Sequence, residues 1–456
     1  MSIYGRRTAD LLAFSRLSNV ERRRALRLGY ANGVLWSVGN GLTTGTLIYY
    51  LAQELGAKGT ALSVLIAAPT LIGMLRLVTP SLIAPLGGIK ATCLKASAVS
   101  YVLLTLGLPA VVLAPGIPRA TALAGMLGLI CVHQLLEYIG SVALWSWLSA
   151  LVPVRIRGRY FARRQVWQLA FLIPALFLSG RFTDDWKQTY RNTEPEQLLL
   201  GYVIPNCVGA AFLLASLVPL AMMPDVPLAP RLVRGSGAAH RWPVGDPTFR
   251  RLLVYRVWFS FFNGLTQTAQ NIYVFTLGIG VLPMQLMQLG MRGGQMVLSP
   301  LVGRASDRYG NRPVLEVSQA LVAIGPVFYF LATPEQPWWV VGAWVVWSAY
   351  AGLNICLTNI MLKLAPRHDN AGYIATFEAL GGVAYGLSTL AGGVLLDRWR
   401  DTGFHVALGG IELDRFAMLF LIGAVTRALG VAWLARVPEP GARRWREIMK
   451  RQSRDC

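Results

Sequence analysis

Apolar residues run along this chain in stretches of about 20, the length that crosses roughly 30 Å of hydrocarbon as a helix. They occupy 28–53, 61–85, 91–113, 121–151, 165–179 and 198–223, then 252–277, 284–302, 314–332, 338–363, 374–396 and 415–436. The stretches form two groups of six. The fifth is short, which places its true start inside the basic stretch before it. Strand-like alternation is absent, and backbone amides cannot be left unpaired in lipid, so every crossing is predicted to be helical. The expectation is an all-α membrane protein of twelve transmembrane helices. Between the groups, 224–251 carries Pro224, Pro227, Pro230, Pro243 and Pro247 among glycines and arginines, and no apolar helical pattern survives there. It reads as a linker. The predicted organisation is therefore a first bundle over 1–223, a linker over 224–251 and a second bundle over 252–456. Segments 181–197 and 397–414 are polar, of mixed charge, and occupy matching outer positions.

The two groups also share residues. Asn40-Gly41-Leu42-Thr43 returns as Asn263-Gly264-Leu265-Thr266, 223 residues on (40 to 263). Leu151-Val152-Pro153 with Tyr160 returns as Leu364-Ala365-Pro366 with Tyr373, 213 residues on (160 to 373). Gly180, Asp184 and Trp186 return as Gly393, Asp397 and Trp399 at that same spacing. Matches in order at a nearly constant offset mark an internal duplication, a trace common in secondary transporters whose site lies between repeats. The two bundles are expected to be pseudo-symmetric.

Composition supports the membrane reading: the chain is 54% hydrophobic and 14% charged, against roughly 25% charged for soluble domains. The net charge of +21 would fit nucleic acid if it were clustered on one face. Instead Lys and Arg concentrate in alternate loops, while the other loops hold only Lys58, Arg119, Arg181, Lys187, Arg191, Arg398, Arg400 and Arg415. By the positive-inside rule both termini and the linker are cytoplasmic, against an anionic inner leaflet, and no nucleic-acid partner is expected. Arg6, Arg7, Arg16, Arg22, Arg23 and Arg24 form a basic lead-in to the first span, with no cleavage site after a short apolar core. Cys93, Cys131, Cys207 and Cys356 lie in apolar spans and Cys456 is terminal, so neither a metal site nor a disulfide framework is expected, and no cofactor.

Between the eighth and ninth spans stands Gly303-Arg304-Ala305-Ser306-Asp307-Arg308-Tyr309-Gly310-Asn311-Arg312-Pro313. Gly310 permits a tight turn, and Asp307 can accept hydrogen bonds from the start of the ninth span or from an arginine. The segment closely resembles the GxxxDRxGRR loop signature of the major facilitator superfamily, with Asn311 in place of one arginine. That resemblance implies a latch of charged contacts built on Gly303, Asp307, Arg308, Gly310 and Arg312. The matching first-half segment, Pro80 to Lys90, lacks the Asp-Arg pair. Trp145 to Arg164, with Arg157, Gly158, Arg159, Tyr160, Phe161, Arg163 and Arg164, is similar to the loop between spans 4 and 5 of bacterial permeases of unassigned substrate. The resemblance covers nearly the whole chain and implies two six-helix bundles, a central cavity lined by spans 1, 2, 4 and 5 and their partners 7, 8, 10 and 11, a monomer, and residence in the bacterial inner membrane.

Within those spans the polar residues are the candidates. Span 1 offers Asn40, Thr43 and Thr44. In span 7, Asn263, Gln267, Gln270 and Asn271 follow i, i+4, i+7, i+8 spacing and share one helix face. Two readings apply: hydrogen-bonded glue between helices, worth about 0.6 kcal/mol per bond, or a cavity lining for a small solute. His133 and Glu137 stand one turn apart near the middle of span 4. A carboxylate there is costly unless paired or solvated, and the pair has the chemistry for proton coupling; a structural pair is the alternative. Arg292 lies about 16 Å above Gly303 at 1.5 Å per residue, too deep to snorkel, and suits an anionic group or Glu137 as partner. Arg76 fits either snorkelling or the cavity. Arg256 and Arg427 lie nearer the inner ends and are expected to snorkel. Gly39, Gly41 and Gly45, Pro69 and Pro80, and Gly290, Gly293, Gly294 and Pro300 fit either close helix contact or helices that bend around a cavity.

The function expected is a non-enzymatic secondary transporter, coupled to protons, for a small polar or anionic solute. A drug/proton antiporter is the alternative, disfavoured by the absence of a GPxxGG pattern in span 5. A transferase or a non-transporting sensor is remote: the histidines at 133, 240, 368 and 405 have no triad or metal spacing.

Overall fold

The computed structural model describes residues 18–74, 82–83, 85–153, 156–190, 195–225, 243–365, 370–408 and 411–439. Arg76, Pro80, Pro366, His240, His368, Cys456, most of the linker and the basic lead-in and tail lie outside them. Helices occupy all twelve predicted positions. In the first half these are α1 (Asn19–Leu42) with α2 (Gly45–Glu54), α3 (Gly59–Ile72), α4 (Ile89–Val102) with α5 (Leu108–Val112), α6 (Arg119–Leu151), α7 (Arg157–Thr189), and α8 (Pro195–Ala215) with α9 (Leu217–Ala221). In the second they are α10 (Pro247–Leu265) with α11 (Gln267–Thr276), α12 (Val281–Tyr309), α13 (Asn311–Leu331), α14 (Trp339–Val346) with α15 (Tyr350–Leu364), α16 (Asn370–Asp401) and α17 (Arg415–Leu434).

The fifth span does begin inside the basic stretch, since α7 starts at Arg157. Its other end reaches Thr189, so the outer segment expected from 181 is helical for its first half. The matching segment after α16 instead holds a short antiparallel hairpin, Val406–Leu408 with Ile411–Leu413. Among the described residues, eight helices are long and apolar enough to cross a membrane by themselves. The first, seventh and eighth spans, and the described part of the second, fall short of that measure. These are the spans broken by a turn or loaded with amides, glycines and prolines. Apolar side chains such as Leu178, Met296, Val297, Leu387 and Leu429 stand more than half exposed on the helix surfaces, which suits contact with lipid.

The chain divides into two compact units, Met1–Gly56 with Ile72–Gly237, and Ala57–Leu71 with Ala238–Cys456. Most of α3 thus packs with second-half helices. Glycines on α16 permit this approach: a Cβ on Gly393 would meet Gly59 O and Ser63, and one on Gly386 would stand 2.5 Å from Leu71 Cγ. Asp397 then caps α3, its Oδ1 accepting from Gly59 N at 2.8 Å and its Oδ2 from Thr60 N at 2.7 Å. A carboxylate at a helix N-terminus satisfies orphan amides and opposes the helix dipole.

The duplicated residues do equivalent work in each unit. Helix α1 ends at the first Asn-Gly-Leu-Thr and α10 at the second, and both chains resume within two residues. Each threonine bonds back along its helix, Thr43 Oγ1 to Gly39 O at 3.0 Å and Thr266 Oγ1 to Asn263 O at 3.3 Å. Each glycine removes a Cβ from a helix crossing. A Cβ on Gly41 would stand 2.7 Å from Ala175 Cβ and 3.0 Å from Leu172 O; one on Gly264 would collide with Tyr385 O and Ser388 Oγ. Tyr160 donates to Leu26 O at 3.4 Å, and its counterpart Tyr373 meets Phe249 edge-on at 4.6 Å. Glycine at such crossings is a packing requirement, because an added methyl in a filled interface costs about 1–3 kcal/mol. We expect Gly264→Ala to lower the melting temperature of the purified protein by several degrees. Gly293→Ala, whose Cβ meets nothing within 4 Å, should leave it unchanged; equal effects would contradict the crossing's importance.

Candidate functional site

The second unit carries an open cavity of ≈ 320 Å³ around the break between α10 and α11. Asn263, Gln267 and Gln270 line it from the break itself, and Gln288, Arg292 and Gln295 from α12. Trp344, Trp347, Tyr350 and Asn354 complete the wall from α14, α15 and the turn joining them. The lining is amide-rich with three aromatic rings and one cation, and none of these residues is acidic. Such a mixture of a few convergent polar groups on aromatic walls is the usual character of a small-molecule site.

The break decides which amides arrive. On an unbroken helix Asn271 would follow the other three onto one face. Here the turn at Thr266 resets the register, and Asn271 bonds back to Gln267 O at 2.9 Å, away from the lining. Tyr350 donates to Asn263 Oδ1 at 3.0 Å and so orients that amide. Among the α12 glycines, a Cβ on Gly290 or Gly293 meets nothing within 4 Å. Close helix contact does not explain those two positions; Gly294, against Ser348, is the one it explains.

Arg427 is the residue that sequence reasoning misplaced. It does not snorkel: it is 1% exposed on α17, with Nη2 donating to Thr266 Oγ1 at 2.7 Å. The same oxygen accepts from Gln270 Nε2 at 3.3 Å, which links the buried charge to the cavity wall. Gln319 holds the backbone, its Nε2 on Arg427 O at 2.8 Å, and Tyr255 in turn donates to Gln319 Oε1 at 2.8 Å. Arg427 Nε and Nη1 are buried without a hydrogen-bond partner among the described residues. A buried guanidinium with donors to spare is costly, and in a membrane span it marks function by default. The depth of Arg427 was hidden because α17 lies far from α10 in sequence and only folding brings Thr266 to it. Arg256 pairs with Glu378 at 3.2 Å and lies over the Phe377 ring at 5.1 Å.

In the first unit His133 is buried and Glu137 half-buried, with Nε2 and Oε2 3.4 Å apart. The other imidazole nitrogen meets Ser100 Oγ at 2.7 Å, so α4 fixes the ring. Asn40 and Thr43 are half-buried beside the α1 break. Arg164, grouped by sequence with the basic loop, lies inside the α1–α7 packing and is 4% exposed. It donates to Asn32 Oδ1 at 3.1 Å and Gly29 O at 3.3 Å.

At the motif loop, Gly310 turns the chain at φ +97 between α12 and α13. Asp307 and Arg308 are exposed. The start of α13 is capped by Glu439 and not by Asp307: its carboxylate accepts from Asn311 N at 3.1 Å, Asn311 Nδ2 at 2.7 Å and Arg312 N at 2.7 Å. Lys363 joins it at 2.6 Å, and Arg312 pairs with Glu316 at 2.9 Å. Burial alone would raise the Glu439 pKa, but hydrogen bonds from Lys363, Asn311 and Arg312 hold it below the ordinary carboxylate range.

Residues 257–453 match the family model of the Major Facilitator Superfamily. Solved structures share the fold over nearly their whole length. The nucleoside transporter NupG aligns with a TM-score of 0.58 at 15% identity, over 92% of this chain and 99% of its own. A D-xylose-proton symporter gives 0.63 at 14%, over 92% and 99%. A bacterial homologue of the human drug peptide transporters PepT1 and PepT2 gives 0.58 at 15%, over 94% and 99%. No curated protein sequence matches the chain. The chain is a multi-pass membrane protein with the fold of these transporters, and the family model matches its second half.

Proposed function

We propose that the protein is a secondary active transporter working by alternating access of its two six-helix halves, 1–223 and 252–456, joined by 224–251. The cavity around Thr266 takes a small polar solute bearing a negative charge. One observation carries this reading: Arg292 lines the cavity, Arg427 stands behind its wall, and no lining residue is acidic. An anionic group would offset this positive field, while Asn263, Gln267, Gln288 and Gln295 supply donors and acceptors for the rest of the solute. Charged hydrogen bonds of this kind are worth about 1.5–3 kcal/mol each. The motif loop of Gly303, Asp307, Arg308, Gly310 and Arg312 acts as a conformational latch, and both termini face the cytoplasm of a bacterial inner membrane.

His133 and Glu137 support proton coupling, because a histidine fixed by Ser100 and paired to a half-buried carboxylate can pass a proton to water. That a D-xylose-proton symporter shares the fold is consistent with such coupling.

A thermal-shift screen of the purified protein against metabolite classes tests the solute. Organic anions should raise the melting temperature and neutral sugars should not. The gain should vanish in Arg292→Ala and fall at least tenfold in concentration dependence in Arg427→Met. Stabilisation by anions that survives both substitutions would refute the charge assignment. For coupling, Glu137→Gln in proteoliposomes should abolish solute movement driven by a pH gradient while leaving exchange intact; an unchanged pH dependence would remove Glu137 from the mechanism.

A further inference from the structure

A second cavity, of ≈ 670 Å³, opens at the end of the second unit that carries the motif loop. Four arginines converge on it: Arg250 and Arg251 from the first turn of α10, Arg312 from the start of α13, and Arg436 just beyond α17. The acids nearby are already committed. Asp246 caps α10 through Thr248 N at 2.9 Å, Glu439 caps α13 and bonds Lys363, and Glu316 takes Arg312 at 2.9 Å. Among the described residues no ion pair engages Arg250, Arg251 or Arg436. Among the described residues the cavity therefore holds a net positive charge that no ion pair neutralises, in a concave site large enough for a phosphate and its substituent.

What adjoins the arginines is apolar. Arg436 stacks over Trp433 at 5.0 Å, and Trp433 lies 6.1 Å from Trp258. Trp258 Nε1 donates to Thr426 O at 3.0 Å, tying α10 to α17. Beside this seam Val254 of α10 is 41% exposed, and Val425 and Leu429 of α17 are 50% and 52% exposed. A cluster of arginines ending in a tryptophan and continuing into exposed aliphatics matches an amphiphile, charged at one end and hydrocarbon along the rest. A soluble phosphate would use the arginines and leave the apolar seam unused.

The geometry points to a binding site for an anionic phospholipid, with the headgroup phosphate held by Arg250, Arg251, Arg312 and Arg436 and an acyl chain along Val254, Val425 and Leu429. The site is separate from the solute cavity and does not depend on what solute is carried. Because α10 continues into the Thr266 break and α17 carries Arg427, a lipid here would clamp together the two helices that frame the buried charge.

Native mass spectrometry of the full-length protein in detergent, with phosphatidylglycerol or phosphatidylcholine added, tests this. Phosphatidylglycerol should remain bound where phosphatidylcholine is lost. The variant Arg250→Gln/Arg251→Gln/Arg436→Gln should retain it at least tenfold less, and Arg250→Gln or Arg251→Gln alone should give an intermediate loss. Arg398→Gln/Arg415→Gln, which also removes charge but lies at the other end of the unit, should retain it fully. Equal retention in the triple variant, or equal retention of the two lipids, would overturn the site. Inorganic phosphate should not raise the melting temperature of the wild-type protein. A rise that the triple variant abolishes would assign the arginines to a soluble phosphate and overturn the lipid proposal.

Discussion

The crossing at Gly264 governs the second unit. The backbone of α10 comes so close to the Tyr385 carbonyl of α16 that a single methyl would not fit. With the helix held there, it ends at Leu265 and resumes at Gln267. The turn leaves Thr266 fully buried, and its hydroxyl becomes the acceptor for both Arg427 and Gln270. The cavity, the orientation of its amides and the placement of the buried charge all follow from this approach. Without a hydrophobic driving force between helices in lipid, small residues and hydrogen bonds are what such a contact can use.

Arg427 shows a conflict between stability and function. Its burial with unpartnered Nε and Nη1 would be hard to justify for packing alone, since an apolar residue of similar volume is often neutral or better in such a place. The surroundings accommodate only part of the guanidinium, through one hydroxyl of Thr266. The rest of its field reaches the wall shared with Tyr350 and Gln270. The first unit solves the corresponding problem differently: Arg164 is also buried, yet Asn32, Gly29 and Gln168 accept its hydrogen bonds.

Much of this was legible in the chain. The twelve helical positions follow from apolar length, and the duplicated Asn-Gly-Leu-Thr marks the break in both halves because glycine and threonine each do a local job there. The shared face of span 7 identified Asn263, Gln267 and Gln270, and depth in span 8 identified Arg292; all four line the cavity. What the chain concealed depends on contacts between distant segments. Gln288, Gln295 and Asn354 drew no notice in the sequence, and only the packing of α12 and α15 brings them together. Asn271 was assigned by a periodicity that the break at Thr266 resets. Arg427 looked interfacial by its distance from the helix end and Arg164 was grouped with the basic loop, and only the packing of α17 and α7 places them inside. Glu439 lies beyond the last apolar stretch, where nothing in sequence connects it with Asn311 and Arg312.

The central claim is that the solute occupies the cavity at the Thr266 break. Asn354 is exposed to that cavity, so Asn354→Cys, in a protein whose native cysteines are replaced by serine, reports on it directly. The rate of its alkylation by a water-soluble maleimide should fall severalfold when a stabilising anion is added and recover when Arg292 is also changed to alanine. A rate indifferent to an anion that the protein demonstrably moves would place the solute elsewhere and contradict the account.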